Sequence, residues 1–436
     1  VQASVKDTAD TPLSFSDGNA HEYTLDKNIR ANGVDGVLQV NGSQLTINGD
    51  GKLVAVGGIY AGNGGEYSTA VWADKGAKVI INGGTYVNTA KNGDDHYDLI
   101  YADRNSTIEI YGGTFINVTP KWTLNCKDYT NSKIYVMGGR YFRFDPSDVK
   151  TTPKAKEGFE DPTEVIVPEG YEVIKDGDWY EVRLAEGKFG AGTGAYDDFN
   201  DAITNASNES NVKVTLPANA SVELKNGVAN EGEARDLTFV GDGTQTVDVV
   251  SKAINAEGGM LNYQRGSKFT FKDMTIQAGE GNFDGIVCDE LVYKNCTIKG
   301  KLTLYGKATF INCTFENDMP NQYSIWTWGG TDVLFESCTF NTNGKAILLY
   351  GGAEENAKPT NLTVNNCTFN DRNDGAAGKA AIEIGNDYNA TYTLTVNKIT
   401  VNGFADGKNT GSKVWANKNS MDAEHLTVTI DEKKVH

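Results

Sequence analysis

Residues 308–315 read ATFINCTF, and variants of this eight-residue phrase recur through the C-terminal half of the chain. The other copies are FTFKDMTI at 269–276, LVYKNCTI at 291–298, VLFESCTF at 333–340, LTVNNCTF at 362–369 and LTVNKITV at 394–401. Period-two alternation puts the apolar side chains of each copy on one face, provided that two central residues form a bend. The second bend residue is mostly Asn, Asp or Ser, which tolerate left-handed backbone angles. Each phrase therefore predicts two short strands joined by a tight bend.

The N-terminal half repeats a variant in which two glycines occupy the bend. These copies are VIINGGTY at 79–86, IEIYGGTF at 108–115 and IYVMGGRY at 134–141, with a looser copy, LTINGDGKL, at 45–53. Successive bends in the C-terminal half are 22, 17, 25, 29 and 32 residues apart. Constant strand phrases separated by loops of variable length are typical of a solenoid. Coils of this length predict a parallel β-helix, in which each coil pairs with the next at about 4.8 Å.

The GGTF and NCTF phrases resemble those of the right-handed parallel β-helix, pectate-lyase-like superfamily. They are particularly similar to noncatalytic, adhesin-like surface proteins of gut Bacteroidetes and to phage appendages. The resemblance covers most of the chain and implies an all-β fold. It implies little about function, because the same architecture hosts lyases, hydrolases, adhesins and fibres.

The repeat is interrupted after Tyr141, which predicts two tandem solenoids at 1–184 and 185–436. Three of the nine prolines lie in 144–162. Residues 164–184 then predict a capping hairpin that turns at 175–178. Helical spacing of apolar residues in 196–208 predicts a capping helix for the second solenoid.

Composition excludes several classes of function. The net charge of −18 argues against nucleic acid and anionic membranes as partners. No apolar run is long enough for membrane insertion, so we expect an extracellular or cell-surface protein whose signal or anchor has been removed. Four histidines and six cysteines without a CxxC pair give no zinc motif. We therefore expect no cofactor, although calcium at loop carboxylates is an alternative; the oligomeric state stays open.

Several polar and thiol groups recur at equivalent positions. Cysteines at the bends form a predicted column of buried thiols that fills space in the core (Cys296, Cys313, Cys338 and Cys367). Three aspartates precede the paired glycines of the first solenoid at regular spacing and are interpreted as turn caps (Asp74, Asp103 and Asp128). Two acidic loops, 94–98 and 371–374, are interpreted mainly as solvated tips, with calcium binding or catalysis as the alternative.

Each C-terminal coil contains one further predicted strand, and alternation along it predicts which side chains point outward. Its sequences are IVCD at 286–289, LTLY at 302–305, IWTW at 325–328, ILLY at 347–350 and IEIG at 382–385. The predicted acids of this face, Asp289 and Glu383, lie four rungs or roughly 19 Å apart. Glycoside hydrolysis requires two carboxyls about 5 to 10 Å apart, so this face does not predict a hydrolase.

Aromatic side chains dominate the same outward face, and they are the candidate ligand-binding residues: Tyr305, Trp326, Trp328 and Tyr350. Sugar rings and partner proteins both pack on such surfaces. The alternative is that the loops 316–324 and 351–360 fold over the aromatic residues and bury them.

These observations favour an exported or surface-displayed β-helical binding protein that engages a glycan or another surface without catalysis; we assign no catalytic residue. Two alternatives remain. The first is a polysaccharide lyase or glycoside hydrolase of the pectate-lyase-like superfamily, with its acids on the loops. The second is a structural spacer or a phage fibre segment.

Overall fold

The structure is a computed structural model that describes residues 11–59, 66–89, 97–128, 130–148, 165–225, 234–250, 260–262, 266–281, 283–351, 359–385 and 390–436. The chain divides into two compact units. Unit 1 comprises Val1–Glu186 with Thr193–Ala195, and unit 2 comprises Gly187–Gly192 with Tyr196–His436. Each unit is built from three sheets, called a, b and c in the order in which the chain visits them.

Parallel in-register strands form the three sheets of unit 1. Sheet 1a contains Leu13–Phe15, Leu38–Asn41, Val71–Asp74, Ile100–Ala102 and Leu124–Cys126. Sheet 1b contains Ala20–Thr24, Gln44–Asn48, Lys78–Ile81, Thr107–Ile110, Lys133–Val136 and Val165–Ile166. Sheet 1c contains Asn28–Asn32, Lys52–Val56, Thr85–Asn88, Thr114–Ile116 and Gly139–Phe142. A short antiparallel pair, Gly58–Ile59 and Glu66–Tyr67, and a 3-10 turn, Pro120–Trp122, lie between them.

Unit 2 repeats this order of sheets over more coils. Sheet 2a contains Leu302–Leu304, Ile325–Thr327, Ile347–Leu349, Ile382–Ile384 and Trp415–Asn417. The parallel part of sheet 2b contains Val212–Thr215, Asp236–Val240, Lys268–Lys272, Glu290–Lys294, Lys307–Ile311, Asp332–Glu336, Thr360–Asn365, Tyr392–Asn397 and Leu426–Ile430. Sheet 2c contains Ser221–Glu223, Thr246–Asp248, Thr275–Gln277, Thr297–Lys299, Thr314–Asn317, Thr339–Thr342, Thr368–Asp371 and Thr400–Asn402. A separate pair joins Met260–Asn262 to Gly285–Val287.

The predicted bends lie between the b and c sheets. Their second residue has a positive φ in every copy of unit 2, at Asp273, Asn295, Asn312, Ser337, Asn366 and Lys398. The second glycine of each pair does the same in unit 1, at Gly84, Gly113 and Gly139. The left-handed backbone turns the chain within two residues, so both flanking strands keep their apolar side chains inward.

Stacked side chains fill the interior of each unit. In unit 1, Phe115 lies between Tyr86 and Tyr141, with ring centroids 5.2 and 4.9 Å away. In unit 2, Phe340 lies between Phe315 at 4.3 Å and Phe369 at 4.6 Å. Such aromatic pairs contribute about 0.5–1.5 kcal/mol each beyond area burial. Aromatic residues at equivalent rungs therefore reinforce the register that the backbone sets.

The cap of unit 1 differs in detail from the predicted hairpin. Its strands are Tyr171–Asp176 and Trp179–Leu184, and the second pairs antiparallel with Gly139–Phe142. The turn is therefore narrower than the predicted 175–178. Val165–Ile166, which was predicted to continue into the hairpin, adds to sheet 1b instead, because Pro168 and the turn at 169–170 separate it from Tyr171.

The predicted helix of unit 2 is shorter than 196–208 and spans Phe199–Asn205. Asp198 defines its start, since its carboxylate accepts hydrogen bonds from the backbone N–H groups of Asn200 and Asp201 at 2.8 and 3.2 Å. The residues before Asp198 form the strand Gly194–Tyr196. Phe199, Ala202 and Ile203 of the helix belong to the buried core of the unit.

Candidate functional site

The four aromatic candidates occupy two neighbouring columns on the outward side of sheet 2a. Trp326 lies within a strand, in register with Thr303 and Leu348 on either side. Tyr305, Trp328 and Tyr350 each follow the last residue of a strand by one position. We call Tyr305, Trp328 and Tyr350 the aromatic column. All four candidate side chains are half-buried.

Ring contacts organise the aromatic column. Trp328 and Tyr350 stack at 5.2 Å with an interplanar angle of 29°. Phe283 meets Trp328 edge-on at 5.4 Å, and its carbonyl accepts a 2.9 Å hydrogen bond from Tyr305 Oη. Sequence reasoning missed Phe283, because it precedes the short strand Gly285–Val287 and belongs to no repeated phrase. Ring contacts therefore join Phe283, Trp328 and Tyr350, and a hydrogen bond joins Tyr305 to Phe283.

Trp326 has a different environment from the aromatic column. Lys301 lies over its ring at 4.2 Å, and Tyr323 contacts it at 6.4 Å between centroids. The indole Nε1 is shielded from solvent and has no hydrogen-bond partner among the residues that the structure describes. Tyr323 comes from the 316–324 loop, so this loop covers the column that contains Trp326. The other suspected cover, 351–360, lies largely outside the described residues.

The buried carboxylate of this face is Glu383, in register with Leu348 and only 2% exposed. It accepts a hydrogen bond from the Tyr323 hydroxyl and lies 3.4 Å from Lys379 Nζ. Burial, reinforced by the charge of Glu383, raises the pKa of Tyr323. This triad of carboxylate, phenol and ammonium was not predicted, because its members come from three separate loops and strands.

The prediction that Asp289 and Glu383 lie on the same face, four rungs apart, is wrong. Gly285–Val287 pairs with Met260–Asn262 and not within sheet 2a. The backbone N–H of Thr303 donates to the carbonyl of Asp284, which shifts the expected register by two residues. Asp289 is therefore an exposed residue beyond a strand of another sheet.

The acidic groups of unit 1 are neutralised by neighbouring cations. Asp74 accepts hydrogen bonds from Arg104, at 2.6 Å from Nε, and from the backbone N–H of Lys75 at 2.7 Å. Asp103 pairs with Lys127 at 3.3 Å. The predicted turn-capping role thus holds for Asp74, with side-chain cations added to it. Asp128 is exposed.

The loop 371–374 is held by its own polar groups. The carboxylate of Asp371 accepts hydrogen bonds from the backbone N–H groups of Asn373 and Gly375. Arg372 pairs with Glu316 and Asp318. Of the other acidic loop, 94–96 lies outside the described residues. Among the described residues, no group of three or more His, Cys, Asp or Glu side chains is placed to hold a metal ion.

The predicted cysteine column is present as a row of buried free thiols. Cys296, Cys313 and Cys338 each donate from Sγ to backbone carbonyls at 3.3–3.5 Å. The hydrogen bond to Cys296, together with burial, raises the pKa of Cys313 to about 12. A thiol with such a pKa is a poor nucleophile, whereas the same hydrogen bond lowers the pKa of Cys296. Because all four thiols are buried, the column packs the bend.

Unit 1 carries an aromatic pair that the sequence reasoning overlooked. Trp72 and Tyr101 are adjacent on the outward side of sheet 1a and meet edge-on at 5.3 Å. The signal was available, because VWAD at 71–74 and IYA at 100–102 alternate in the same way as the strands of sheet 2a. Both units therefore present aromatic side chains on the outward side of their a sheets.

Residues 258–428 match a family model described as a right handed beta helix region. This match agrees with the parallel sheets of the structure, and together they show that the chain has a parallel β-helix fold. No curated protein and no solved structure gives a significant match to the chain. Within the described residues, no helix has the length and apolarity needed to traverse a bilayer.

Proposed function

We propose that this parallel β-helix is an exported or cell-surface binding protein that engages a glycan through the outward side of sheet 2a, without catalysis. The observation that carries the proposal is the half-buried aromatic column, in which Trp328 stacks on Tyr350 and is braced by Phe283. Pyranose rings present apolar C–H surfaces that pack against aromatic rings. A partner protein of similar surface chemistry is the second candidate for the same column.

The polar groups beside the column support binding over hydrolysis. Glu383 is a buried acid on this face, and its neighbours Tyr323 and Lys379 already engage it. A second buried acid, Asp284, lies near Lys301. Glycosidases require a second carboxyl about 5 to 10 Å away. Asp289, the only candidate from the sequence, belongs to another sheet.

A glycan array tests the proposal directly. We expect wild-type protein to retain at least one glycan class and Trp328→Ala to bind it about fivefold to tenfold more weakly, since a stacked aromatic contributes about 1–1.5 kcal/mol to binding. Trp122→Ala is the matched control, because Trp122 is also half-buried but lies on the 3-10 turn of unit 1. Circular dichroism checks that both variants fold. Equal binding by wild type and Trp328→Ala would remove the aromatic column as the site.

An activity screen addresses the enzymatic alternative. The protein is incubated with a polysaccharide panel, with and without calcium, and the products are assayed for unsaturated and reducing ends. We expect neither. Release of either product, lost on substitution of Glu383 by Gln, would replace the binding proposal with a catalytic one.

A further inference from the structure

Lysines are concentrated beside the aromatic residues of sheet 2a. Lys345 precedes the strand Ile347–Leu349, Lys379 precedes Ile382–Ile384, and Lys418 follows Trp415–Asn417. All three residues are half-buried and thus partly accessible to solvent. A fourth, Lys301, is fully buried beneath Trp326. We call Lys345, Lys379 and Lys418 the lysine cluster.

Contacts tie the lysine cluster to the aromatic residues of the same face. Lys345 Nζ lies 5.1 Å from the centroid of the Tyr323 ring. Lys379 pairs with Glu383, which also binds the Tyr323 hydroxyl. The backbone N–H of Lys418 donates to the carbonyl of Ile384, which places Lys418 on the rung beyond Gly385. Since Gly385 occupies the position after its strand that Tyr350 occupies on the preceding rung, Lys418 extends the line of the aromatic column.

The local charge has the opposite sign to that of the whole chain. Three ammonium groups of the cluster and Lys301 are near two carboxylates, Glu383 and Asp284, while the chain as a whole carries −18. Burial lowers the pKa of Lys345, and the charges of Lys379 and Lys418 lower it further. Among the described residues, neither Lys345 nor Lys418 forms an ion pair with a carboxylate within 4.0 Å. An anion from outside would therefore relieve mutual repulsion among these ammonium groups.

We propose that the lysine cluster binds the anionic substituent, carboxylate or sulfate, of an acidic sugar whose ring packs on the aromatic residues beside it. This inference rests on the proposed glycan-binding function and narrows it to acidic glycans. Net negative charge elsewhere on the chain does not oppose local binding, because charges farther apart than about 10 Å are largely screened at moderate ionic strength. The ammonium groups of the lysine cluster thus favour an anionic ligand over a short range, at one end of the face.

The experiment measures binding by isothermal titration calorimetry with matched oligosaccharides that are neutral, carboxylated or sulfated. Lys345→Gln/Lys418→Gln is compared with the control Lys294→Gln/Lys299→Gln, which removes the same charge from two exposed sites on sheets 2b and 2c. We expect one acidic oligosaccharide to bind and the first double variant to lose tenfold or more in affinity, since one charged hydrogen bond contributes about that much. The control double variant should bind as wild type does.

Lysine labelling with mass spectrometry separates the inference from the proposed function. In wild-type protein, inorganic sulfate and the acidic oligosaccharide should both protect Lys345 and Lys418 from acylation, and Lys294 should be unaffected. Neutral oligosaccharides that bind equally well, with no effect of Lys345→Gln/Lys418→Gln, would overturn the inference and leave the proposed function standing. Protection by sulfate without binding of any oligosaccharide would overturn both. The carboxylated and sulfated arms identify which anion the cluster prefers.

Discussion

The bend at Asn312 gives a quantitative test of why the repeated phrase folds as it does. Asn312 has a φ of 53°, and its Nδ2 donates a 2.9 Å hydrogen bond to Oδ1 of Asn295 on the preceding rung. Substitution by either Ala or Gly removes that hydrogen bond. The two variants then differ in Cβ, which costs roughly 1–2 kcal/mol in the left-handed region. We therefore expect Asn312→Ala to be less stable than Asn312→Gly by about 1–2 kcal/mol.

Urea unfolding followed by circular dichroism measures the free energy difference. Hydrogen exchange of residues 307–317 shows whether the loss is local to the bend. The control is the pair Thr309→Ala and Thr309→Gly on the adjacent strand. Here the Gly variant should be the less stable one, because Gly within a strand costs roughly 0.5–1 kcal/mol relative to Ala. If Asn312→Gly were as destabilised as Asn312→Ala, or more so, the left-handed bend would not be the reason for Asn at this position.

Four further predictions concern the core, the thiols and the buried charges. Phe340→Ala should lose about 3–5 kcal/mol of unfolding free energy in urea, because it removes a ring stacked on two others, whereas exposed Ile311→Ala should change little. Thiol titration with a chromogenic disulfide should find no reactive cysteine in the folded protein and all six in denaturant; rapid reaction of the folded protein would contradict a sealed column. Arg104→Ala should destabilise unit 1, because buried Asp74 loses its guanidinium partner, and Arg104→Lys should recover part of this loss in the same urea assay. Burial lowers the pKa of Lys301 from 10.5 to about 8, so the unfolded chain binds more protons between these values and stability rises with pH across that window. The change in unfolding free energy caused by Lys301→Met should therefore be more favourable at pH 7 than at pH 10, and equal changes at both pH values would refute the assignment.

Repetition explains why so much of the fold could be predicted from sequence. The alternation around each bend identified Phe269, Phe271 and Ile276 as inward, and all three are fully buried. The bend residues could be recognised because left-handed backbone restricts their side chains. These constraints act within a few residues, and they are repeated in every coil.

Positions without repetition were less predictable. The strand at 285–287 has the alternation of sheet 2a but pairs with Met260–Asn262. Alternation predicts which side chains face inward, and it does not predict which strand lies alongside. The triad of Tyr323, Lys379 and Glu383 is likewise assembled from segments up to 60 residues apart. The sequence therefore predicts the aromatic column and Glu383 on this face, but not the contacts of Tyr323 and Lys379 with that carboxylate.

The in-register pairing of sheets 2b and 2c makes the stacking of the coils independent of the length of the segments between them. Phrases that lie 17 to 32 residues apart in sequence occupy consecutive rungs of the same sheets, so the length of an intervening segment does not alter the rise per coil. Insertions in these segments can therefore change the surface on one side of the solenoid while the spacing between coils stays the same. A surface such as that on sheet 2a can therefore change by insertion without a change in the stacking of the coils beneath it.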